Sequence, residues 1–315
     1  MNLVLELTIK IMILAAVLNI VLSIGFAAAK AGIIDDTGKE KLSSLLVNLL
    51  LPVSMIASSQ QPFGMEHLKG AGSIVCIALN YYFLAFVIGI AVGRLTKMNA
   101  DRTAMFTLLI TFANTGFIGM PLLGQVIGET GTFYGAIYNS VFDVLYFSVG
   151  IYVLQGKENG HMDSRSCLCN PMIWIAIITV FLYVLPWRFP TVITDSLTIL
   201  GDCMMPVSML IIGAEIAGMK VKRVLTDRAS YGVSLFRMFL CPMITFCVMK
   251  LLHVEFEVAA TAVVLCAMPS ASLNVIMGQK YKNNAEFAAA AVMQNTMIMI
   301  VTLPFFTFLC VNLLS

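Results

Sequence analysis

The chain has 315 residues, of which 59% are hydrophobic and 11% charged, a composition that a water-soluble domain of this length carries only by exposing very large apolar patches. It is read as a polytopic membrane protein. The formal net charge of +2 is scattered over short loops rather than gathered into a patch, which excludes nucleic acid as a partner and leaves membrane lipid.

A bilayer core takes about 20 apolar residues in helical form, and on that measure the sequence divides into ten spans. They run approximately over 7–29, 42–59, 70–93, 103–127, 131–154, 172–187, 192–214, 232–252, 258–279 and 287–313. The first is too long for a signal-peptide core and ends in Lys30 rather than a small-residue cleavage site, so it is read as a retained helix. The second carries Pro52 and the sixth ends in Pro186-Trp187-Arg188-Phe189-Pro190, so the parity of the count hangs on these two. The polar connection after the fifth span holds Cys167 and Cys169 with His161 and Asp163 upstream, a spacing that matches no strong zinc pattern. The other cysteines lie in apolar spans, where a thiol acts as a small hydrophobe. Neither a metal nor a cofactor is expected.

Lys and Arg gather in cytoplasmic loops. Fourteen of the 19 basic residues follow odd-numbered spans; the other side holds only four, Lys69 and Arg188 after even spans and Lys10 and Lys250 at the outer ends of the first and eighth, and Arg237 lies deeper inside the eighth. Both termini are therefore placed outside the cytoplasm, in a multi-pass protein of the cytoplasmic membrane. Five spans per half is an odd number, so the second half enters with the opposite orientation and the repeat is inverted.

Repetition is visible in the residues themselves. Pro52-Val53-Ser54-Met55 recurs as Pro206-Val207-Ser208-Met209, with Asn48 four residues before the first proline and Asp202 four before the second. In the fifth and tenth spans Tyr138-Asn139-Ser140 answers to Gln294-Asn295-Thr296, at an offset of 156. The expected organisation is a five-helix repeat over 1–155, a short cytoplasmic connection over 156–171, and a second, inverted five-helix repeat over 172–315.

The fourth span holds Asn114, Thr115, Gly116, Gly119 and Pro121 where the bilayer centre should be, and the ninth holds Pro269, Ser270, Ser272 and Asn274. Proline and glycine interrupt a helix, and free backbone groups at that depth persist only inside protein or along a cavity. A broken helix exposes the N-terminus of its second segment, which favours negative charge. Two such ends facing one cavity form a seat for an anion without a buried cation, with Asn114, Thr115, Ser270, Ser272 and Asn274 as further donors. Tyr138, Asn139, Gln294 and Asn295 join this candidate substrate site through the repeat.

The string Asn114-Thr115-Gly116-Phe117-Ile118-Gly119-Met120-Pro121, with Met268-Pro269-Ser270-Ala271 and the five-plus-five arrangement, resembles the auxin efflux carrier family over essentially the whole chain. That family includes plant PIN-formed auxin exporters and bacterial carriers of malonate or malate. The resemblance implies a scaffold of the first, second, sixth and seventh helices and a transport domain of the third to fifth and eighth to tenth. It also implies that the broken fourth and ninth helices cross at Pro121 and Pro269, that Asn114 lies beside the substrate carboxylate, and that the scaffold forms a homodimer. The long cytoplasmic loop of the plant exporters is absent.

Ionisable residues inside a membrane cost about 2.5–3.5 kcal/mol each on insertion scales and ask for a role. Asp143 follows Asn139 by four residues on one helical face and is the candidate for taking up a coupling proton, with a structural, hydrogen-bonded aspartate as the competing reading. Asp202 and its repeat mate Asn48 are read as scaffold polar positions. Glu215 and Arg237 are read as a structural ion pair. Gln294, Asn295 and Thr296 keep a sodium site open. Of the histidines, His67, His161 and His253, none is expected to be buried and catalytic, and no His-Glu-x-x-His motif or nucleophile-base cluster occurs, so an enzyme is not expected. The expected function is secondary active transport of a small organic anion by alternating access; the alternative is an anion channel or a non-transporting receptor scaffold.

Overall fold

The computed structural model describes residues 16–17, 20–60, 64–155, 171–185, 187–218 and 228–313. Among these the secondary structure is helical, with one isolated antiparallel bridge between Ala113 and Ser270. The helices are α1 (Ile20–Lys30), α2 (Asp36–Ser58), α3 (Met65–Leu95), α4 (Ala100–Thr111), α5 (Thr115–Gly119 continuing as Met120–Val126) and α6 (Glu129–Leu154). They continue with α7 (Pro171–Val184), α8 (Thr191–Gly218), α9 (Ala229–Leu251), α10 (Phe256–Cys266), α11 (Leu273–Lys280) and α12 (Ala285–Leu313).

Six of them, α2, α3, α6, α8, α9 and α12, are long and apolar enough to cross a membrane by length and composition. The ten-span expectation exceeds this for identifiable reasons. The fourth span is divided into α4 and α5, and the ninth into α10 and α11, so no piece reaches full length. The sixth is the 14-residue α7, and part of the first lies outside the described residues, as does the connection holding Cys167 and Cys169. Among the described residues no group of His, Cys, Asp and Glu is placed to hold a metal.

Helix α3 shows how composition sets its packing. Its buried face is Gly70, Ala71, Ile74, Ala78, Tyr82, Ala85, Gly89 and Gly93, mostly small residues at helical spacing, while Leu79, Phe83, Leu84 and Val87 are exposed. Small residues inward and large ones outward is the membrane pattern, because lipid accepts the large side chains and backbone contact rewards the small ones. A Cβ on Gly89 would lie 2.7 Å from the Cα of Thr107, so α3 and α4 meet backbone to backbone. The same device joins α1 to α8, where a Cβ on Gly213 would fall 2.0 Å from the Leu22 carbonyl oxygen.

Three helices widen into a π turn directly before a proline: Leu46–Leu50 before Pro52, Thr115–Gly119 before Pro121, and Phe236–Leu240 before Pro242. Proline lacks the N–H and its ring presses on the carbonyl four residues back. A π turn moves that carbonyl aside and keeps the rod continuous.

The main apolar core surrounds the division of α4/α5 and α10/α11, draws on α3, α6, α9 and α12, and takes in Leu22 of α1, Tyr183 of α7 and Met209 and Ile212 of α8. A second cluster joins Leu46, Leu50, Leu51 and Met55 of α2 and Met204 and Ile211 of α8 to Met120 of α5 and Ala136 of α6. Helices α2 and α8 thus meet α5 and α6 through a surface of Leu, Ile, Met and Ala side chains.

Candidate functional site

Helix α4 stops at Thr111 and its chain runs extended through Phe112, whose φ is −101° and ψ 109°, before α5 begins at Thr115. Helix α10 stops at Cys266 and α11 begins at Leu273. The two extended stretches pair with each other. Asn114 N–H donates to the Pro269 carbonyl at 2.7 Å and Ala271 N–H donates to the Phe112 carbonyl at 3.0 Å. Buried backbone groups freed by the breaks therefore satisfy one another, as a membrane interior requires.

The meeting point is Ala113 with Ser270, which corrects the expectation of a crossing at Pro121 and Pro269. Pro269 lies within the paired stretch. Pro121 lies seven residues past Asn114, in the first turn of the regular part of α5, where a missing N–H costs least.

Around this pairing the buried polar side chains form separate chains of hydrogen bonds. Thr115 Oγ1 donates to Asn139 Oδ1 at 2.7 Å, and Asn139 Nδ2 donates to Asp143 Oδ2 at 3.2 Å. On the other repeat Asn295 Nδ2 donates to Ser270 Oγ at 2.8 Å, and Ser270 Oγ donates to the Leu109 carbonyl at 2.6 Å. Tyr146 OH donates to Asn274 Oδ1 at 3.1 Å. Two amide atoms in this region, Asn274 Nδ2 and Asn295 Oδ1, are buried without a partner. A buried unpaired amide group is costly, and these two lie beside the starts of α5 and α11 with one donor and one acceptor unused. Asn114 and Asn139 are buried as well, and Ser272, half-buried, accepts the Val275 N–H at 3.0 Å as the cap of α11.

Other predicted site residues do different work. A Cβ on Gly119 would meet Leu265 at 2.5 Å, so this glycine lets α5 pack on α10 rather than admitting a ligand. Gly116 is half-buried, and a Cβ there would only touch Asn139 Oδ1 at 3.6 Å. Tyr138 is buried against Tyr82, with its hydroxyl 3.5 Å from Cys266 Sγ, and so belongs to the core. Gln294 Oε1 accepts from Ser234 at 3.1 Å, and Thr296 turns back to the Val292 carbonyl at 2.8 Å, which leaves Asn295 as the one of the trio beside the break. Asn48 is exposed and bonded to Ser44 at 3.0 Å. Asp202 is exposed and shares a cavity of about 110 Å³ with Pro121, Ser54, Ser58, Gln125 and Glu129, where α2 and α8 approach α5 and α6.

The expectation of an anion seat without a buried cation also needs correction. Arg237, read from its position as half of an ion pair with Glu215 near the cytoplasmic end, is fully buried at the crossing. Its Nε donates to the Met268 carbonyl at 2.9 Å, Nη1 to Ile110 at 3.0 Å and Nη2 to Cys266 at 3.0 Å, with Tyr81 OH also in contact. Residue 237 is two helical turns into α9, about 12 Å of rise, and a long side chain covers the rest. The side chain of Glu215 lies outside the described residues.

Sequence reasoning missed Tyr146 and gave Arg237 the wrong partner. Tyr146 follows Asn139 and Asp143 at i, i+4, i+7, a helical stripe that would have found it. Arg237 lies 156 residues after Tyr81, the same offset that relates Asn139 to Asn295.

The profile of a family described as membrane transport protein matches the chain twice, over residues 10–162 and 157–307. The chain is also similar to an uncharacterized transporter of Methanocaldococcus jannaschii, 21% identical over 93% of this chain and 96% of the relative. A second uncharacterized transporter, from Methanothermobacter thermautotrophicus, is 20% identical over 89% of this chain and 92% of its own length.

Proposed function

The chain belongs to the membrane transport protein family, the auxin efflux carriers, and on that basis we propose that it moves a small organic anion across the cytoplasmic membrane by alternating access. The architecture behind this reading is ten membrane helices in two inverted repeats, with both termini extracytoplasmic and a dimer formed through α1, α2, α7 and α8. The observation that carries it is the pair of broken helices bonded back to back through Asn114 and Pro269, and Ala271 and Phe112.

Each break starts a new helix, α5 or α11, whose first turn has N–H groups without intrahelical partners and a partial positive charge. A carboxylate is the natural guest. Asn114 and Ser272 add neutral donors and the unpartnered Asn274 Nδ2 offers one more, while the Thr115 and Ser270 hydroxyls, which donate to Asn139 and to the Leu109 carbonyl, join only by exchanging those partners for the substrate. Asp143, two hydrogen bonds from the start of α5, is the proton-coupling residue of this reading, since a buried carboxyl beside an anion seat changes the charge of the site when it binds a proton.

Binding is tested by thermal shift of the purified protein with mono- and dicarboxylates, including malonate, malate and indole acetate. Asn114→Ala is expected to weaken the best ligand by about tenfold or more, the cost of a hydrogen bond to a charged group, while the unliganded protein unfolds near the wild-type temperature. Wild-type affinity in a folded Asn114→Ala chain removes Asn114 from the seat.

A further inference from the structure

Arg237 is bonded in a way that an ion pair does not explain. Besides the three shortest contacts, Nη1 lies 3.4 Å from the Thr111 carbonyl and Nη2 3.4 Å from the Leu265 carbonyl. Ile110 and Thr111 are the last two residues of α4, and Leu265 and Cys266 are the last two of α10. The guanidinium thus holds the C-terminal carbonyls of both first half-helices at once, one nitrogen to each helix, with Met268 on the third. Ile110 and Cys266 are separated by the repeat offset of 156, so they are equivalent positions of the two halves, and the cation lies where the approximate symmetry brings them together.

A helix C-terminus carries about −0.5 of an elementary charge and an N-terminus about +0.5. Two C-termini at the crossing amount to about −1 and two N-termini to about +1, so the four ends alone leave no net charge for a ligand to sense. One guanidinium cancels the C-terminal share and stays ionised, since arginine does not lose its proton in proteins. A second would overshoot, and the equivalent position in the first repeat is the neutral Tyr81, whose hydroxyl touches the guanidinium instead.

We propose that Arg237 fixes the charge selectivity of the site: by neutralising the ends of α4 and α10 it leaves the starts of α5 and α11 as an uncompensated positive field. It is a positioning residue, acting from behind the crossing. The inference rests on the anion reading above.

The test compares binding of malonate, malate and indole acetate with that of their neutral amides, in the full chain reconstituted in lipid, for wild type, Arg237→Gln, Arg237→Lys and Tyr81→Phe. Wild type is expected to favour the carboxylate. In Arg237→Gln that preference falls by about tenfold, equivalent to about 1.4 kcal/mol, while Tyr81→Phe, which removes a hydrogen bond and no charge, keeps it. Arg237→Lys retains the charge with fewer donors, so it loses thermal stability yet holds most of the preference. A folded Arg237→Gln chain with wild-type preference overturns the assignment; should that chain not fold, loss of preference in folded Arg237→Lys does so. A wild type that binds none of the carboxylates defeats the anion reading itself, and this inference with it.

Discussion

The carboxylate of Asp143 accepts the Asn139 amide, and Asn139 accepts the Thr115 hydroxyl at the start of α5, so a change of charge at Asp143 is transmitted through two hydrogen bonds to the proposed seat. If protons travel with the substrate, Asp143→Asn holds this position neutral at every pH and keeps a group of the same shape. Uptake into proteoliposomes by the variant is then expected to ignore an imposed pH gradient that drives the wild type, with substrate binding at fixed pH retained. Unchanged dependence on the gradient assigns Asp143 a structural role. The relation of Asn139 to Asn295 was legible in the sequence because the repeat offset is a property of the chain alone. Their partners were not: Asn139 turns to Thr115 and Asn295 to Ser270, because the two halves differ at the residues across from them. Arg237 was misread for a similar reason. Apart from the Tyr81 hydroxyl its partners are backbone carbonyls, which every residue owns and no side-chain pattern advertises.

At the scale of elements, the interruptions of the fourth and ninth spans were readable, since Asn, Gly, Ser and Pro gathered at membrane depth contradict an uninterrupted helix. The place of crossing was not, because proline suggests a break in general while the bridge formed at Ala113 and Ser270, where extended backbone from each half finds a partner. The π turns were also hidden, and one of them carries the arginine proposed to set charge selectivity. Arg237 lies inside the Phe236–Leu240 turn that precedes Pro242. A π turn holds roughly one residue more than an α turn, so relaxing it rotates what lies on either side by about 100°. Pro242→Ala restores the missing N–H and removes the reason for the turn. Helix propensity alone favours the change by about 3 kcal/mol. The opposite sign is expected here, a lower unfolding temperature with a weaker preference for carboxylate over amide, because Arg237 swings away from the ends of α4 and α10. A Pro242→Ala chain that is more stable than wild type and equally selective separates the turn from the placement of Arg237.

For the molecule as a whole, the alternating access proposed above needs contacts that hold one state and release in the other. The dry Leu, Ile, Met and Ala surface of α2 and α8 against α5 and α6 suits sliding, having no hydrogen bonds to break among its clustered side chains. Polar fastening lies at the start of α3 instead. Tyr183 OH, from α7, accepts the Gly64 N–H at 2.9 Å, donates toward the Gly64 carbonyl at 3.3 Å and lies 3.0 Å from His67 Nδ1, with His67 Nε2 4.0 Å from Glu257. One hydroxyl thus fastens the start of α3 to α7. Tyr183→Phe keeps the ring, which packs on Phe133 at 4.6 Å between centroids, and removes the fastening. Losing these bonds in one state and not the other tilts the balance by about 1–3 kcal/mol. A ligand's apparent affinity scales with the population of the state that receives it. Substrate affinities measured from the two faces of oriented proteoliposomes should therefore move in opposite directions in Tyr183→Phe, one tightening as the other weakens, with the equilibrium accumulation ratio unchanged. A shift of both affinities in the same direction is incompatible with two alternating states fastened at this hydroxyl.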